Sequence, residues 1–322
     1  MMLIKSFFPT FSALSGIHGK NLDTIWSFTV KRYAGGSIGW SYLNQDTWHT
    51  ENYTCSSDTN EPHSPINIFT KRTTRRTFKP FKFTNYDNKD LKMVLGNNGH
   101  LVKIDFPETQ AEMTGGGHPE DFTVDHIHFH WGKKSTQGSE HFKNGTSFPM
   151  EMHIVHFNAI YPSLYDAEGQ PSGLAVFAFL FELSRDPNPA LTPIVGRLQE
   201  VRTPYTAVDL KLPSLATILP GNMDEFYQYT DGGLRGFPCI TWTIFRETIK
   251  ISESQLEKFR TLESSEGGNL EGNHRDPQDI PGVQVVSSYE VPASENTTQG
   301  SAFSKLIYKL VCGRSKNSKS PF

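Results

Sequence analysis

Long apolar runs are missing from this sequence. Nowhere in its 322 residues does one approach the roughly 18 to 20 residues that a membrane helix requires, so no transmembrane span is expected. Cysteine is scarce as well: three in the whole chain are too few for a disulfide scaffold. Clustered positive charge is also lacking. Against 34 acidic residues stand 31 lysines and arginines, for a net charge of −3, and no long basic run interrupts the balance. Phosphate binding depends on such clusters, so nucleic acid is not an expected partner. The chain has no H-E-x-x-H helix and no clear nucleophile elbow, which makes the hydrolases built on those motifs the remotest alternative.

Histidine, by contrast, is concentrated. Six of the twelve histidines fall in VDHIHFHWGKKSTQGSEHFKNGTSFPMEMHIVHFN, residues 124–158. Side chains alternate across a β-strand, so His126, His128 and His130 share one face while Ile127, Phe129 and Trp131 share the other. In the second run Glu151, His153 and Val155 lie opposite Met152, Ile154 and His156. Paired strands would bring His153 beside the H-x-H row. Three neutral imidazoles on rigid strands with one coordination position left open are the pattern of catalytic zinc, whereas a closed structural site uses four ligands. A lone H-x-H is more often a pair of hydrogen-bonded histidines; H-x-H followed some two dozen residues later by E-x-H is hard to obtain by accident.

The order H-x-H-W-G at 128–132, G-S-E-H at 138–141 and E-x-H-x-V-H at 151–156 resembles the zinc core of the α-class carbonic anhydrases, of the extracellular type, and the likeness runs from about Trp40 to about Ser288. That resemblance implies a mostly β (α+β) single domain around a large, central, mixed but mainly antiparallel twisted sheet with a few peripheral helices. It implies a lyase that hydrates CO2 reversibly to bicarbonate and a proton through zinc-bound hydroxide. His128, His130 and His153 match the zinc ligands. His126 stands where the family usually carries a glutamine bonded to the first ligand, which implies a supporting role; competition for the metal is the alternative. Glu151 matches the acidic partner of the third ligand, and Glu140 the glutamate that orients a threonine hydroxyl at the metal. Val155, Val176, Leu234, Ile240 and Trp242 match the CO2 pocket, though each alone would be read as core. Asn97-Asn98-Gly99-His100 resembles the proton-shuttle segment, with His100 as shuttle and Tyr42 and Asn98 as supports of its water chain; an exposed turn histidine is the bland alternative. His141 matches a structural position, and His156 is expected to pack in the core.

One loop departs from the pattern. Where the family carries S-L-T-T-P-P, this chain has Gly233-Leu234-Arg235-Gly236-Phe237-Pro238-Cys239, about three residues shorter, with Arg235 in place of the orienting threonine. A guanidinium cannot accept a hydrogen bond. Rearrangement bringing in Thr230, reduced activity, and zinc binding without useful catalysis in a binding or matrix module all remain open.

The resemblance also implies a bridge between Cys55, just before Ser64-Pro65-Ile66, and Cys239, just before Thr241-Trp242, as in extracellular members; two buried thiols are the alternative. Sequons at Asn52, Asn144 and Asn296 point the same way, toward a secreted or cell-surface glycoprotein. The first residues, MMLIKSFFPTFSALSG, are broken by Pro9 and several serines, which leaves a poor signal peptide, an incomplete start and a structureless extension as equal readings. The chain is expected to divide into an N-terminal extension at 1–39, the domain at 40–289 and a polar, basic tail at 290–322, where Cys312 has no obvious partner.

Strands are expected at 81–83, 92–95, 102–106, 123–131, 149–158, 174–183 and 240–251, and helices at 190–201 and 252–262, the second opened by Ser252 and Gln255 as a capping box. Leu174 to Phe181 is apolar at every position, as in a strand buried on both faces.

Overall fold

The structure, a computed structural model, describes residues 42, 45, 64–108, 111–231, 240–280 and 282–296. In chain order the strands are β1 (Asn67–Ile68), β2 (Thr74–Arg75), β3 (Lys82–Thr84), β4 (Met93–Asn97), β5 (Val102–Asp105), β6 (Glu112–Gly115), β7 (His118–Trp131) and β8 (Phe142–Lys143). They continue with β9 (Met150–Asn158), β10 (Leu174–Ser184), β11 (Thr206–Leu210), β12 (Phe226–Asp231), β13 (Ile240–Phe245), β14 (Ile249–Ser252) and β15 (Val286–Ser287). Three short α-helices, α1 (Leu164–Ala167), α2 (Thr192–Arg197) and α3 (Glu253–Arg260), lie among them. The fold is therefore mostly β with few helices, as expected.

Thirteen of the described strands form one sheet whose main path runs β11-β4-β5-β7-β9-β10-β13-β12-β15-β2. The sheet is mixed: β7, β9 and β10 pair antiparallel, while β10 pairs parallel with β13 and with β14. Strand β10 explains the packing. Ala175, Phe177, Phe179 and Phe181 enter one hydrophobic core, and Leu174, Val176, Ala178 and Leu180 enter a second on the opposite face. Period-two alternation of an all-apolar strand thus feeds two cores at once. On the first face Phe81, Phe177, Phe179, Phe226 and Phe245 form an aromatic cluster, with Phe179 and Phe245 stacked at 4.7 Å.

Strand β7 is longer than the expected 123–131 and is broken in phase. Val124 pairs with His156 and His126 with Val155, so Asp125 is an extra, bulged residue. Phe122 and Val124 lie in the first core before the bulge, and Ile127, Phe129 and Trp131 lie in it after the bulge. The shift puts even-numbered His126, His128 and His130 on the opposite face.

Three expectations need correction. The run 240–251 is two strands, β13 and β14, separated at residues 246–248. The helix at 190–201 is a 3-10 turn (Pro189–Leu191), the short α2 and a second 3-10 turn (Leu198–Val201); Pro193 lacks an N–H and Gly196 weakens the interior, so one continuous α-helix is not maintained. Strands β6, β11 and β12 were not expected, although Phe-Tyr-Gln-Tyr-Thr in β12 has strong strand-forming residues.

The capping box is present. Ser252 Oγ accepts from Gln255 N at 3.3 Å, and Gln255 Oε1 accepts from Ser252 N at 3.2 Å, opening α3, which buries Leu256 and Phe259. Ser252→Ala should lower stability by about 1 kcal/mol, the usual worth of an N-cap hydroxyl. Urea unfolding checks this; an unchanged midpoint would mean that burial alone holds the helix.

Candidate metal centre

Pairing of β7 with β9 sets His128 opposite His153 and His130 opposite Glu151. Directly opposed residues share a face, so three imidazoles meet on one side of the sheet. Their ring centroids are 4.8–5.0 Å apart, and one ring nitrogen from each lies within 4.8 Å of the others.

Hydrogen bonds fix two of the rings. Glu151, fully buried, accepts at Oε2 from the backbone N–H groups of Glu140 (2.8 Å) and His141 (2.7 Å). Its Oε1 accepts from His141 Nδ1 at 2.6 Å and His153 Nε2 at 2.7 Å. Tyr229 then donates to His141 Nε2 at 2.7 Å, so His141 is structural. With its proton on Nε2, His153 presents a lone pair on Nδ1, which stands 3.1 Å from His128 Nε2. His130 donates from Nδ1 to the Asn273 carbonyl at 2.7 Å, and its buried Nε2 has no hydrogen-bond partner among the described residues. Two ring nitrogens aimed at one point with lone pairs free are what a divalent ion requires.

Electrostatics keep the set ready. Burial pushes the His128 ring well below the usual imidazole range, helped by His130 and His153 beside it, and burial lowers His130 against the opposing pull of Glu140. Neutral imidazole is the ligating form. Burial alone would raise the Glu151 carboxyl, but the His141 and His153 rings with their hydrogen bonds outweigh it and hold the group well below the usual carboxylate range.

The remaining residues singled out in the sequence distribute as follows. His126 donates to Asp125 Oδ2 at 2.6 Å rather than to His128, whose buried Nδ1 has no hydrogen-bond partner among the described residues. His156 is in the core, bonded to Tyr86 Oη at 2.6 Å, and burial lowers its pKa to about 3. Val155, Val176 and Trp242 are laterally paired neighbours on the metal face, all buried, with half-buried Ile240 packed against the same cluster. Together they make an apolar wall beside the imidazoles. Glu140 Oε1 accepts from Arg275 N at 2.9 Å and lies 3.3 Å from His130 Nδ1. Tyr42 meets His130 edge-on at 6.3 Å.

His100 is half-buried in a tight turn rather than freely exposed. Its Nε2 is 3.4 Å from Ser265 Oγ, and burial, opposed by Glu266, lowers its pKa. Asn98 Oδ1 accepts from His100 N (3.0 Å) and Leu101 N (2.7 Å), so its carbonyl serves the turn. Gly99 has φ +91°, and a Cβ there would come within 2.6 Å of Ser265. Thr230 is exposed on β12 opposite Thr241. Leu234, Arg235, Cys55, Cys239 and Cys312 lie outside the described residues.

Two groups escaped the sequence reading. Buried Asn273 links four points: its carbonyl takes the His130 proton, its Oδ1 accepts from Trp131 N at 2.8 Å, and its Nδ2 donates to Phe129 O and His100 O. Lys103, opposite His128 and 5% exposed, puts an ammonium on the metal face, 2.9 Å from Asp105 Oδ1. Lys103 was findable, since alternation of Val102, Lys103, Ile104 and Asp105 puts a charge on the inward side. A lone asparagine in a polar stretch carries no such signal.

Three histidines able to hold a metal ion thus share one face of a large mixed sheet, flanked by an apolar wall. Residues 43–289 match the family model described as eukaryotic-type carbonic anhydrase, and the chain belongs to that family. It is 32% identical to carbonic anhydrase 7 of Mus musculus over 265 residues, covering 78% of this chain and 97% of that one. It is 33% identical to carbonic anhydrase 7 of Homo sapiens (79% and 98%) and 33% identical to carbonic anhydrase 15 of Mus musculus (84% and 90%).

Proposed function

We propose that this chain binds zinc through His128, His130 and His153 and hydrates CO2 reversibly to bicarbonate and a proton. The observation that carries the reading is the meeting of three imidazoles, those of His128, His130 and His153, with the apolar wall of Val155, Val176 and Trp242. Zinc, when bound, supplies a water acidic enough to act as nucleophile near neutral pH. The residues do the rest. Glu151 holds the proton of His153 on Nε2, Asn273 holds that of His130 on Nδ1, and both leave the other nitrogen free for metal. The wall offers a linear, nonpolar molecule contact without competing hydrogen bonds. Glu140, fixed by Arg275 N, is the acceptor for a hydroxyl at the metal. His100, tied into its turn by Asn98, takes the released proton toward solvent.

The family domain occupies 40–289, with extensions on either side. Among the described residues no helix is long and apolar enough to cross a membrane. We further propose that Cys55 pairs with Cys239 and that the chain is secreted or held at the cell surface; the likeness of the two cysteine positions to those of extracellular members and the sequons at Asn52 and Asn296 support this reading.

Arg235 favours a second reading, in which zinc binds but turnover is weak or absent. Stopped-flow CO2 hydration, with zinc measured on the same sample, separates the two. Full zinc occupancy with hydration at the buffer rate would sink the enzyme reading and leave the metal site standing.

A further inference from the structure

Asn144 begins a sequon, Asn144-Gly145-Thr146, yet its amide is already in use. Lys143 and Thr146 exchange backbone hydrogen bonds at 3.0 Å around a two-residue turn in which Asn144 has φ +52° and Gly145 φ +80°. Asn-Gly is the pair such a turn demands, so the asparagine has a conformational reason to be there. It follows β8, which pairs parallel with β1, and Asn144 N donates to Ile68 O at 2.8 Å.

The side chain then reaches elsewhere. Asn144 Oδ1 accepts from Thr70 N at 3.0 Å. Both hydrogens of Nδ2 are used, one to Thr70 Oγ1 at 2.9 Å and one to the carbonyl of Glu295 at 2.7 Å. Thr70 Oγ1 also lies 3.1 Å from that carbonyl. Glu295 sits in the 3-10 turn Ala293–Asn296, and its carboxylate gathers Arg246 Nε (2.5 Å), Tyr227 Oη (3.2 Å) and Tyr289 Oη (3.2 Å).

We propose that Asn144 is a latch for the C-terminal segment 293–296 and that its sequon carries no glycan in the folded protein. A sugar would attach at Nδ2. That atom has no hydrogen to spare, and the Glu295 carbonyl occupies the space a glycan would need. Modification and latching exclude one another.

The test uses the full chain, secreted from a eukaryotic host behind a leader and fused to a tag that bears its own glycan. Every molecule scored has then met the modification machinery. Site mapping by mass spectrometry should find Asn144 unmodified, and Thr146→Ala, which destroys the sequon but leaves the amide, should shift that peptide only by the threonine-to-alanine difference and leave hydrogen exchange unchanged. Asn144→Asp keeps the turn and the acceptor but removes both donors. The Glu295 amide, which donates to Pro292 O at 3.0 Å, should then exchange about tenfold faster, the loss of one or two ordinary hydrogen bonds. Asn144→Gly, equally compatible with the turn, gives the same readout if the aspartate variant does not fold. A glycan on Asn144 in the folded protein, or unchanged exchange in the variants, overturns the proposal.

Discussion

His153→Ala is expected to abolish zinc retention. The ring supplies one of the three converging nitrogens, and its β9 position, paired with His128, allows no neighbour to replace it: Met152 and Ile154 point into the opposite core. Loss of an outer partner of a metal ligand typically weakens affinity by about 10–100-fold, so loss of the ligand itself should exceed that range. After dialysis against a competing chelator the variant should carry almost no zinc while wild type stays loaded. Fold should survive, because Glu151 keeps both backbone donors and His141. Retention of equimolar zinc would mean that the ion sits elsewhere, and the second group able to converge on an ion, His141 with Glu151 and His153, would not rescue the assignment because it also contains the missing ring.

A second large effect is expected at Glu151, where stability and metal binding come apart according to the substitute. Glu151→Ala strands two backbone N–H groups and two imidazoles in a fully buried place, and removing one partner of such a buried charged network costs about 3–5 kcal/mol. Glu151→Gln keeps the shape. Its carbonyl can still accept the two backbone donors, but its NH2 then faces His141 Nδ1 and His153 Nε2, which must turn from donors into acceptors. For His141 the change is mild, since Tyr229 Oη can accept as well as donate. For His153 the proton moves to Nδ1, the nitrogen that faces His128. Zinc affinity should fall about 10–100-fold with little loss of fold. Paired measurements of urea unfolding and chelator competition check both halves; equal destabilisation by alanine and glutamine would show that volume, not tautomer control, is what Glu151 provides.

The imidazole cluster was readable because it depends on local spacing. Alternation is a property of the backbone, and residues 128, 130 and 153 need only two paired strands to meet. The buried character of β10 was readable for the same reason. What resisted reading depends on distant chain. Asn273 serves His130, Trp131 and the His100 turn from more than 140 positions away in sequence, and nothing in its own neighbourhood marks it. His126 departs from expectation for a local reason instead: its ring had a plausible partner two residues on and found a nearer one in the adjacent Asp125. The α2 region read as one helix because its leucines recur at helical intervals, while Pro193 and Gly196 set the opposite local preference.

The bulge at Asp125 has a bearing on how errors in folding are excluded. Ordinarily a strand can slide by two residues and keep its apolar side inward, at the cost of mismatched partners only. Strand β7 lacks that freedom, because its two halves are out of step and no translation satisfies both: any slide that again buries Ile127, Phe129 and Trp131 carries the phase break away from the place where β9 accommodates it. The extra residue therefore works as an alignment key. The metal-facing row can be assembled in one register, and a deletion of Asp125 would remove the key rather than the row: each imidazole would keep its present partner on β9, while β7 would regain the freedom to slide by two residues.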